Sequence, residues 1–224
     1  WKTRIGSFKF PSCVQGTPSP SPTVTPFTPS PSPTRTPTPT PTPTPSPCVP
    51  GYNVAQIGGS IVAGTTDSGN HGDDVISTIP LPFSYSLYDQ SFTSITVDSN
   101  GKAHFVGGAS VFSNTCLPQA STTYSVYPYW DDQRTDAQAG CSSFPGGLCG
   151  IFTSVTGSAP NRIFNIEWRT VYFSGGGTAN HELRLYEGQT RFDVIYGTVT
   201  QTNASATAGV QKDATTFTQY FCNG

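Results

Sequence analysis

Residues 162–173, which read RIFNIEWRTVYF, decide the fold. Large apolar side chains in this stretch recur at every second position and alternate with polar ones. The apolar set is Phe164, Ile166 and Trp168, and the polar set is Asn165, Glu167 and Arg169. Successive side chains of a β-strand point to opposite faces. The pattern therefore predicts a strand with one face on a core and the other face directed outward.

Other segments on both sides of this strand also read as strands separated by turns. Residues 92–106 predict a hairpin with Asn100-Gly101 in a type I′ turn. A second hairpin is expected in residues 181–197, and two more strands in residues 206–211 and 215–221. No helical period is present. We therefore predict an all-β, antiparallel two-sheet β-sandwich, jelly-roll-like, over residues 51–224.

Composition restricts the partners and the compartment. Charged residues make up 11% of the chain and the net charge is −2, with no basic stripe, so nucleic acid is not expected as a partner. No apolar run reaches the length of a membrane span. The chain has no Met and six Cys, without a CxxC pair. We therefore expect an exported, mature product with disulfides in an oxidising environment.

Residues 17–50 form a tract of Pro, Thr and Ser. Proline fixes its own φ and holds the preceding residue extended, so we predict a polyproline II rod on the order of 100 Å long. Such a tract is a typical substrate for O-glycosylation. The candidate threonines are Thr36, Thr38, Thr40, Thr42 and Thr44, and an N-glycosylation sequon begins at Asn203.

The rod separates the sandwich from residues 1–16, which are too few to fold alone. Within them, IGSFKFP predicts a short strand with Phe8 and Phe10 on one side, although Ile5 has the opposite parity. A lone strand is stable only when it joins an existing sheet. Because a stiff rod holds it away from its own domain, we expect the strand to enter a neighbouring subunit.

The positions of two cysteines bear on the proposed contact between subunits. Cys13 and Cys48 lie near the two ends of the predicted rod, and a disulfide needs Cα atoms within about 7 Å. An intrachain bond between them is therefore disfavoured if the rod is extended. Either cysteine pairs within the sandwich, or Cys13 pairs with a cysteine of the next subunit. The second arrangement is the leading hypothesis.

Three groups of residues carry weaker chemical signals. Asp67, Asn70, Asp73 and Asp74 are oxygen ligands of the type that Ca²⁺ takes, but the same residues are typical of a plain turn, which is favoured. Trp130-Asp131-Asp132 suggests sugar stacking, with a core role favoured. Glu167 and Glu182 suggest a glycosidase pair, with structural roles favoured. His71, His104 and His181 show no metal spacing. We therefore predict no enzyme and no cofactor.

Two blocks carry a family resemblance. LPFSYSLYDQSFTSITVDSNGKAHFVGG, residues 81–108, and VYPYWDDQ, residues 126–133, resemble the nidogen-type extracellular domain. Residues 150–177 and 183–199 are similar to bacterial secreted β-domains that follow Thr/Pro-rich spacers. The resemblance covers about residues 50–224 and implies an extracellular β fold, without implying an activity.

The resemblance departs at residues 68–78, where Gly72 and Val75 stand at positions that relatives fill with cysteine. Against this background the expected pairs are Cys141–Cys149 and Cys116–Cys222, which leaves Cys13 and Cys48. Six cysteines allow many pairings, so the connectivity stays open.

These observations give two main hypotheses. The first is a secreted bacterial structural protein that polymerises head-to-tail into an extracellular, cell-surface filament, with identical subunits as partners and Ile5, Phe8, Phe10 and Cys13 at the interface. The alternative is a carbohydrate- or surface-binding module released from a larger exoprotein, with surface glycans as partners. A third hypothesis, a secreted hydrolase, ranks below both because the sequence contains no recognised catalytic motif.

Overall fold

β-Strands dominate the part of the chain that the structure describes. The computed structural model of the protein describes residues 4–9 and 51–224. Within these residues there are two short 3₁₀ turns, Ala139–Ser143 and Pro145–Gly147, and no α-helix. The strands are β1 Arg4–Lys9, β2 Asn53–Gly58, β3 Thr66–Asp67, β4 Ile76–Leu87, β5 Gln90–Asp98, β6 Ala103–His104, β7 Ser125–Trp130, β8 Gln133–Arg134, β9 Gly150–Thr156, β10 Ile163–Tyr172, β11 Thr178–Tyr186, β12 Phe192–Val199, β13 Thr207–Gln211 and β14 Phe217–Cys222.

The strands form two antiparallel sheets. The first sheet has the order β2-β1-β12-β11-β10-β9-β3, with β8 also paired to β10. The second has the order β14-β13-β7-β6-β5-β4. The predicted all-β, two-sheet sandwich is confirmed, and the predicted N-terminal strand is present. The predicted rod, residues 17–50, lies outside the described residues.

The core lies between the two sheets, and β10 supplies its centre as the alternation predicted. Phe164, Ile166 and Trp168 are all buried there. The indole Nε1 of Trp168 donates a 2.8 Å hydrogen bond to the carbonyl oxygen of Asp98 in the opposite sheet. Because a buried indole N–H needs an acceptor, this bond fixes the ring and ties the two sheets together.

The outer face of β10 differs from the expectation that its polar residues point to solvent. Asn165, Glu167 and Arg169 do face away from the inter-sheet core, but all three are buried. Residues 59–65 lie across this face, and the backbone N–H of Gly64 donates to Oε2 of Glu167 over 2.8 Å. An irregular segment thus covers the sheet, and its backbone groups meet the charges beneath it.

The turn between β5 and β6 also differs from the predicted type I′ turn. Gly101 has a φ of +79°, whereas Asn100 is not among the residues with positive φ. The N–H of Gly101 donates to Asp98 O over 3.3 Å, and Asp98 N–H donates to Lys102 O over 3.1 Å. This is a three-residue loop with its last residue in the left-handed region. Asn100 is instead held by tertiary contacts, since its Oδ1 accepts from Gln133 N over 2.8 Å.

Two disulfides lie within the described residues, Cys116–Cys222 and Cys141–Cys149. They are the two pairs expected when the sequence is set against the family resemblance. Cys141–Cys149 packs with Phe144 and Val171 in a small buried cluster of its own. The bond therefore fastens the loop between β8 and β9 onto the sheet.

Replacing both Cys141 and Cys149 with serine is expected to lower the free energy of unfolding by about 2 to 3 kcal/mol, because the bond closes a short loop in the unfolded chain. The two cysteines are separated by 8 residues. Urea denaturation of the oxidised protein measures the change. Ser142→Ala, at an exposed position in the same loop, is the matched control. An unchanged midpoint for the double variant would contradict the structural role of this bond.

Candidate functional site

The N-terminal strand β1 is an internal strand of the first sheet. It pairs antiparallel with β12 on one side, with Gly6 opposite Val194 and Phe8 opposite Phe192. On its other side it pairs antiparallel with β2, from Arg4 opposite Gly58 to Lys9 opposite Asn53. Backbone hydrogen bonds on both sides make β1 part of the sheet rather than an appendage to it. We call the space between β12 and β2 that β1 fills the strand slot.

Phe8 anchors β1 in the strand slot. Its side chain is 1% exposed. The ring stacks on Phe192, with centroids 4.5 Å apart and planes within 10°, and meets the edge of Tyr220 at 6.2 Å. Full burial of such a side chain contributes about 2 to 3 kcal/mol, with a further increment from the aromatic contacts. Among the side chains of β1 that the structure describes, residues 6–9, Phe8 is therefore the apolar contact that holds the strand.

Strand β2 depends on β1 for its place in the sheet. All six residues of β2 are exposed, and among the described strands β1 is its only neighbour. A side-chain bond from Gln56 Nε2 to the Tyr220 hydroxyl, 2.7 Å long, adds one further tie. Without β1, the edge of β12 would be unpaired and β2 would lose its ladder. An unpaired edge of this kind binds another strand readily.

Neutral tyrosines form the floor beside the strand slot. Tyr52 is buried, and the centroid of its ring is 5.2 Å from that of Phe192. Its hydroxyl donates a 3.1 Å hydrogen bond to Thr190 O. Tyr85 donates to the same carbonyl over 3.2 Å. Burial raises the pKa of both phenols above the ordinary value, so both hydroxyls remain protonated donors. This floor suits an apolar strand with backbone donors and acceptors along its edges.

Of the residues predicted at a polymer interface, Phe8 lies in the strand slot. The backbone of Ile5 pairs with both Ile195 and Ile57. Phe10 and Cys13 lie outside the described residues, as do Cys48 and the five threonines predicted to carry glycans.

The four calcium candidates have separate partners. Asp67 Oδ2 is 2.8 Å from His71 Nε2. The backbone of Asp73 forms an isolated antiparallel β-bridge with that of Arg134. Asp74 Oδ1 accepts a 2.7 Å hydrogen bond from Asn100 Nδ2. Asn70 is buried, and its Nδ2 donates to Val75 O over 3.3 Å. Within residues 4–9 and 51–224, no three His, Cys, Asp or Glu side chains converge to hold a metal ion.

The two candidate glycosidase carboxylates, Glu167 and Glu182, are directly opposite each other in the β10–β11 ladder. Both are buried beneath residues 59–65. Glu167 Oε2 accepts from Arg169 Nη2 over 2.7 Å, and Glu182 Oε2 accepts from Val62 N over 2.7 Å. Burial raises the pKa of Glu182 to about 7. Their acceptor oxygens are occupied by the protein itself, so the pair joins the covering segment to the sheet.

Trp130-Asp131-Asp132 takes the core position that was favoured for it. Trp130 is 1% exposed and donates from Nε1 to Val111 O over 2.8 Å. Asp131 accepts from the Ser205 hydroxyl at both carboxylate oxygens, and burial raises its pKa to about 6. Asn203, the predicted glycosylation site, is half-buried in the turn that carries Ser205. Glycan attachment there stays a prediction.

The three histidines have separate partners in the structure. His71 lies beside Asp67, and His104 Nδ1 is 2.8 Å from Ser125 Oγ. His181 is fully buried and stacks on Trp168 with ring centroids 5.1 Å apart.

Sequence reasoning missed the residues that receive β1. Phe192 and Tyr220 lie in strands that the sequence predicts, yet the pattern within a strand does not say which distant segment pairs with it. The available signal was that residues 192–196 read FDVIY, in which the apolar residues Val194 and Ile195 are adjacent. An apolar strand of this kind indicates an internal position, with a partner on each side.

These features define a disulfide-bonded, two-sheet β-domain with an internal N-terminal strand. The chain belongs to the NIDO-related family, whose sequence profile matches residues 51–222. No curated protein and no solved structure gives a significant match. Family membership and the two disulfides fit an extracellular β-domain. Among the described residues, no helix has the length and apolar character needed to cross a membrane.

Proposed function

We propose that the protein is an extracellular structural subunit that assembles head-to-tail, each chain placing its β1 in the strand slot of the next. One observation carries this proposal. Lys9 at the end of β1 and Asn53 at the start of β2 are register partners, yet 43 residues separate them in the chain. A connection of two residues is enough to join adjacent antiparallel strands. The long connection therefore serves another purpose.

The composition of the connection supports assembly between chains. A polyproline II rod of the predicted length holds its two ends on the order of 100 Å apart. Lys9 and Asn53, in contrast, are neighbours across one ladder. In the structure β1 pairs within its own chain, and a chain that fills its own slot must bring the two ends of the predicted rod together. A chain that donates β1 to a neighbour keeps the rod straight, with no other change to the sheet. Exchange of an identical element is a common route to assembly.

Donation of β1 joins different surfaces on the two chains. The donor contributes the strand, and the acceptor contributes β12 and β2. A contact between unlike surfaces leaves each subunit with one unused strand and one unused slot. It therefore propagates into an open filament unless the geometry closes it into a ring. Rods of fixed length would space the sandwiches like beads.

A disulfide is expected to reinforce each joint. Cys13 follows Lys9 by four residues, and Cys48 precedes Asn53 by five. Because Lys9 and Asn53 are register partners, Cys13 of the donor and Cys48 of the acceptor would each lie only a few residues beyond the same end of the β1–β2 ladder. We propose a bond between them in the assembled form. An extracellular, cell-surface location fits such a bond, because oxidising compartments preserve disulfides. Within this proposal the domain has a structural rather than a catalytic role.

An engineered cross-link tests which chain supplies β1. Ser7 is the register partner of Ala55, so cysteines at both positions should form a disulfide across the β1–β2 ladder. The variant is Ser7→Cys/Ala55→Cys in the full chain, with Cys13→Ser and Cys48→Ser to remove competing thiols. We expect a ladder of covalent multimers on a non-reducing gel that collapses to monomer on reduction.

The single variant Ser7→Cys in the same background is the matched control and should give no ladder. A double variant that forms the bond but remains monomeric would show that β1 fills its own slot, and the filament proposal would then be wrong. Formation of the bond is checked by loss of free thiols, so that a monomer without any cross-link is not mistaken for this outcome.

The alternative is a carbohydrate- or surface-binding module. It is favoured by a cavity of about 320 Å³ beside the second sheet, whose lining includes Trp130, Tyr127 and Lys102. Pockets of this volume are at the lower end for small-molecule sites. However, both aromatic side chains are almost fully buried, whereas sugar stacking needs an accessible ring face. The strand slot is therefore the stronger basis for a function.

A further inference from the structure

A buried cluster of reactive side chains lies at the hairpin between β5 and β6. Asp98 ends β5, and Lys102 immediately precedes β6. His104 belongs to β6, and Ser125 begins β7, its neighbour in the sheet. The exposed fractions are 0% for Asp98, 2% for Lys102, 1% for His104 and 0% for Ser125. Charged side chains are rarely buried to this degree, so the arrangement requires an explanation.

Lys102 turns back toward Asp98. Its Nζ is 3.2 Å from Asp98 Oδ2. The same Nζ donates a 2.6 Å hydrogen bond to Val111 O and lies 4.8 Å from the centroid of the Trp130 ring. The side chain of Lys102 is 2% exposed, and its amine is held against the carboxyl group of a residue four positions earlier. An amine and a carboxyl group in contact away from water are the two reactants of an amide bond.

The two oxygens of Asp98 differ in their surroundings. Oδ1 accepts a 3.0 Å hydrogen bond from the backbone N–H of Lys102. Oδ2 forms no hydrogen bond within the described residues. His104 Nε2 is also without a hydrogen bond there, and it lies 3.6 Å from Oδ2. His104 Nδ1 is fixed by Ser125 Oγ at 2.8 Å. The histidine thus faces the same oxygen that the Lys102 amine contacts.

We propose that Lys102 and Asp98 condense to form an intramolecular isopeptide bond. The Nζ of the neutral amine attacks Cγ of the protonated Asp98 carboxyl group, a new N–C bond forms, and the bond from Cγ to Oδ2 breaks. The amine loses one proton, Oδ2 leaves with its own proton and one more, and the product is water. No oxidant or reductant takes part, and the reactants and products balance.

Burial favours the neutral amine that this reaction needs. Removal from water lowers the pKa of the Lys102 amine, because the charged form loses its hydration. In a low-dielectric site a neutral acid and amine compete well with a buried ion pair. His104 is placed to carry the proton from the attacking nitrogen to the leaving oxygen, which is the role of a general acid–base group.

The surroundings fit the product as well as the reactants. After condensation Oδ1 becomes the amide oxygen and keeps its bond from Lys102 N. The nitrogen retains one hydrogen, which donates to Val111 O as before. The atom that departs, Oδ2, is the one without a hydrogen bond. Condensation therefore replaces a buried amine and a buried carboxyl group by one amide, and both polar atoms of that amide have partners.

Peptide mass spectrometry of the folded, full-length protein tests the bond. The aromatic residues Phe92 and Phe105 flank the site, so chymotrypsin should release residues 93–105 as one peptide containing both reactants. We expect this peptide to be lighter than its sequence mass by one water, and trypsin to leave it uncut after Lys102. A peptide of full mass from natively folded protein would show an ordinary buried ion pair and would overturn the proposal.

Two variants assign the lost mass. Lys102→Arg keeps the cation but cannot form the amide, so its peptide should have the full mass. Loss of water that persists in Lys102→Arg would instead indicate a cyclic imide at Asp98 and would overturn the proposal. Asp98→Asn offers an amide in place of the acid, so condensation there should release ammonia. Because the wild-type measurement is decisive by itself, poor folding of either variant leaves the test intact.

Discussion

Phe8→Ala is expected to weaken the proposed joint between subunits by about a hundred-fold to several-thousand-fold. Truncation of a buried phenylalanine costs about 3 to 5 kcal/mol, and each 1.4 kcal/mol is about a factor of ten in an equilibrium constant. Phe8 is 1% exposed and stacks on Phe192, so the full cost is expected. Light scattering across a concentration series measures assembly, with Cys13→Ser included so that the joint is reversible.

Lys9→Ala is the matched control for this prediction. Lys9 is on the same strand, adjacent to Phe8, and its side chain is exposed. Its replacement should leave the assembly concentration within a few-fold of the parent. Equal effects of the two variants would show that side-chain burial does not hold the strand. If Phe8→Ala instead lowers the unfolding free energy of a monomer independently of concentration, β1 is held within its own chain and the filament proposal is wrong.

The alternation in β10 was sufficient to predict this strand and its inner face. Phe164, Ile166 and Trp168 recur at the strand period, and the structure places all three in the core. This success has a physical reason, because burial of one face imposes a period of two on any strand that has an exposed or polar opposite face. The prediction needed no knowledge of the partner strands.

The outer faces were not predictable in the same way. Residues 59–65 cover the polar face of β10 and β11, and residues 106–123 cover part of the second sheet, with Val111 O accepting from Trp130. Irregular segments carry no repeating pattern, and their contacts are made by backbone groups that every residue possesses. The sequence therefore indicates that the outer faces of the sheets are exposed to solvent, whereas irregular segments cover parts of them in the structure.

Placement of β1 was only partly predictable. The parity of Phe8 indicates which side of the strand is apolar, and the structure confirms that this side is buried. The pairing with β12, however, joins residues from opposite ends of the chain. The sequence of a strand does not identify a partner so distant in the chain, because many different apolar strands could pack beside it equally well.

His181→Phe is expected to remove the loss of stability that His181 causes as the pH falls below 6.5. His181 is 0% exposed, lies between Trp168 and Tyr129, and has no hydrogen bond to either ring nitrogen within the described residues. Burial lowers its pKa from 6.5 to about 3. Below pH 6.5 the unfolded chain therefore binds a proton at this position that the folded domain does not bind until near pH 3.

The sign and size of the effect follow from proton linkage. Because the unfolded state binds the extra proton, the free energy of unfolding falls as the pH is lowered from 6.5 toward 3. Each pH unit removes about 1.4 kcal/mol, so the whole interval removes about 4 to 5 kcal/mol. Phenylalanine retains the stacking and has no proton to bind. It also removes two buried polar atoms without partners, which should add about 1 to 3 kcal/mol of stability at neutral pH.

Urea denaturation of the wild type and His181→Phe at pH 7.5, 5.5 and about 4 measures the difference, which should widen steadily as the pH falls. The comparison of the two proteins is needed because Glu182 changes the unfolding free energy with pH in the opposite direction in both of them. Burial raises the Glu182 pKa from 4.5 to about 7, so the folded state binds its proton first and stability falls as the pH rises through this interval. Ser142→Ala, at an exposed position without a titratable side chain, is the control that should leave the slope unchanged. Parallel curves for wild type and His181→Phe would mean that His181 is protonated in the folded domain or reached by water.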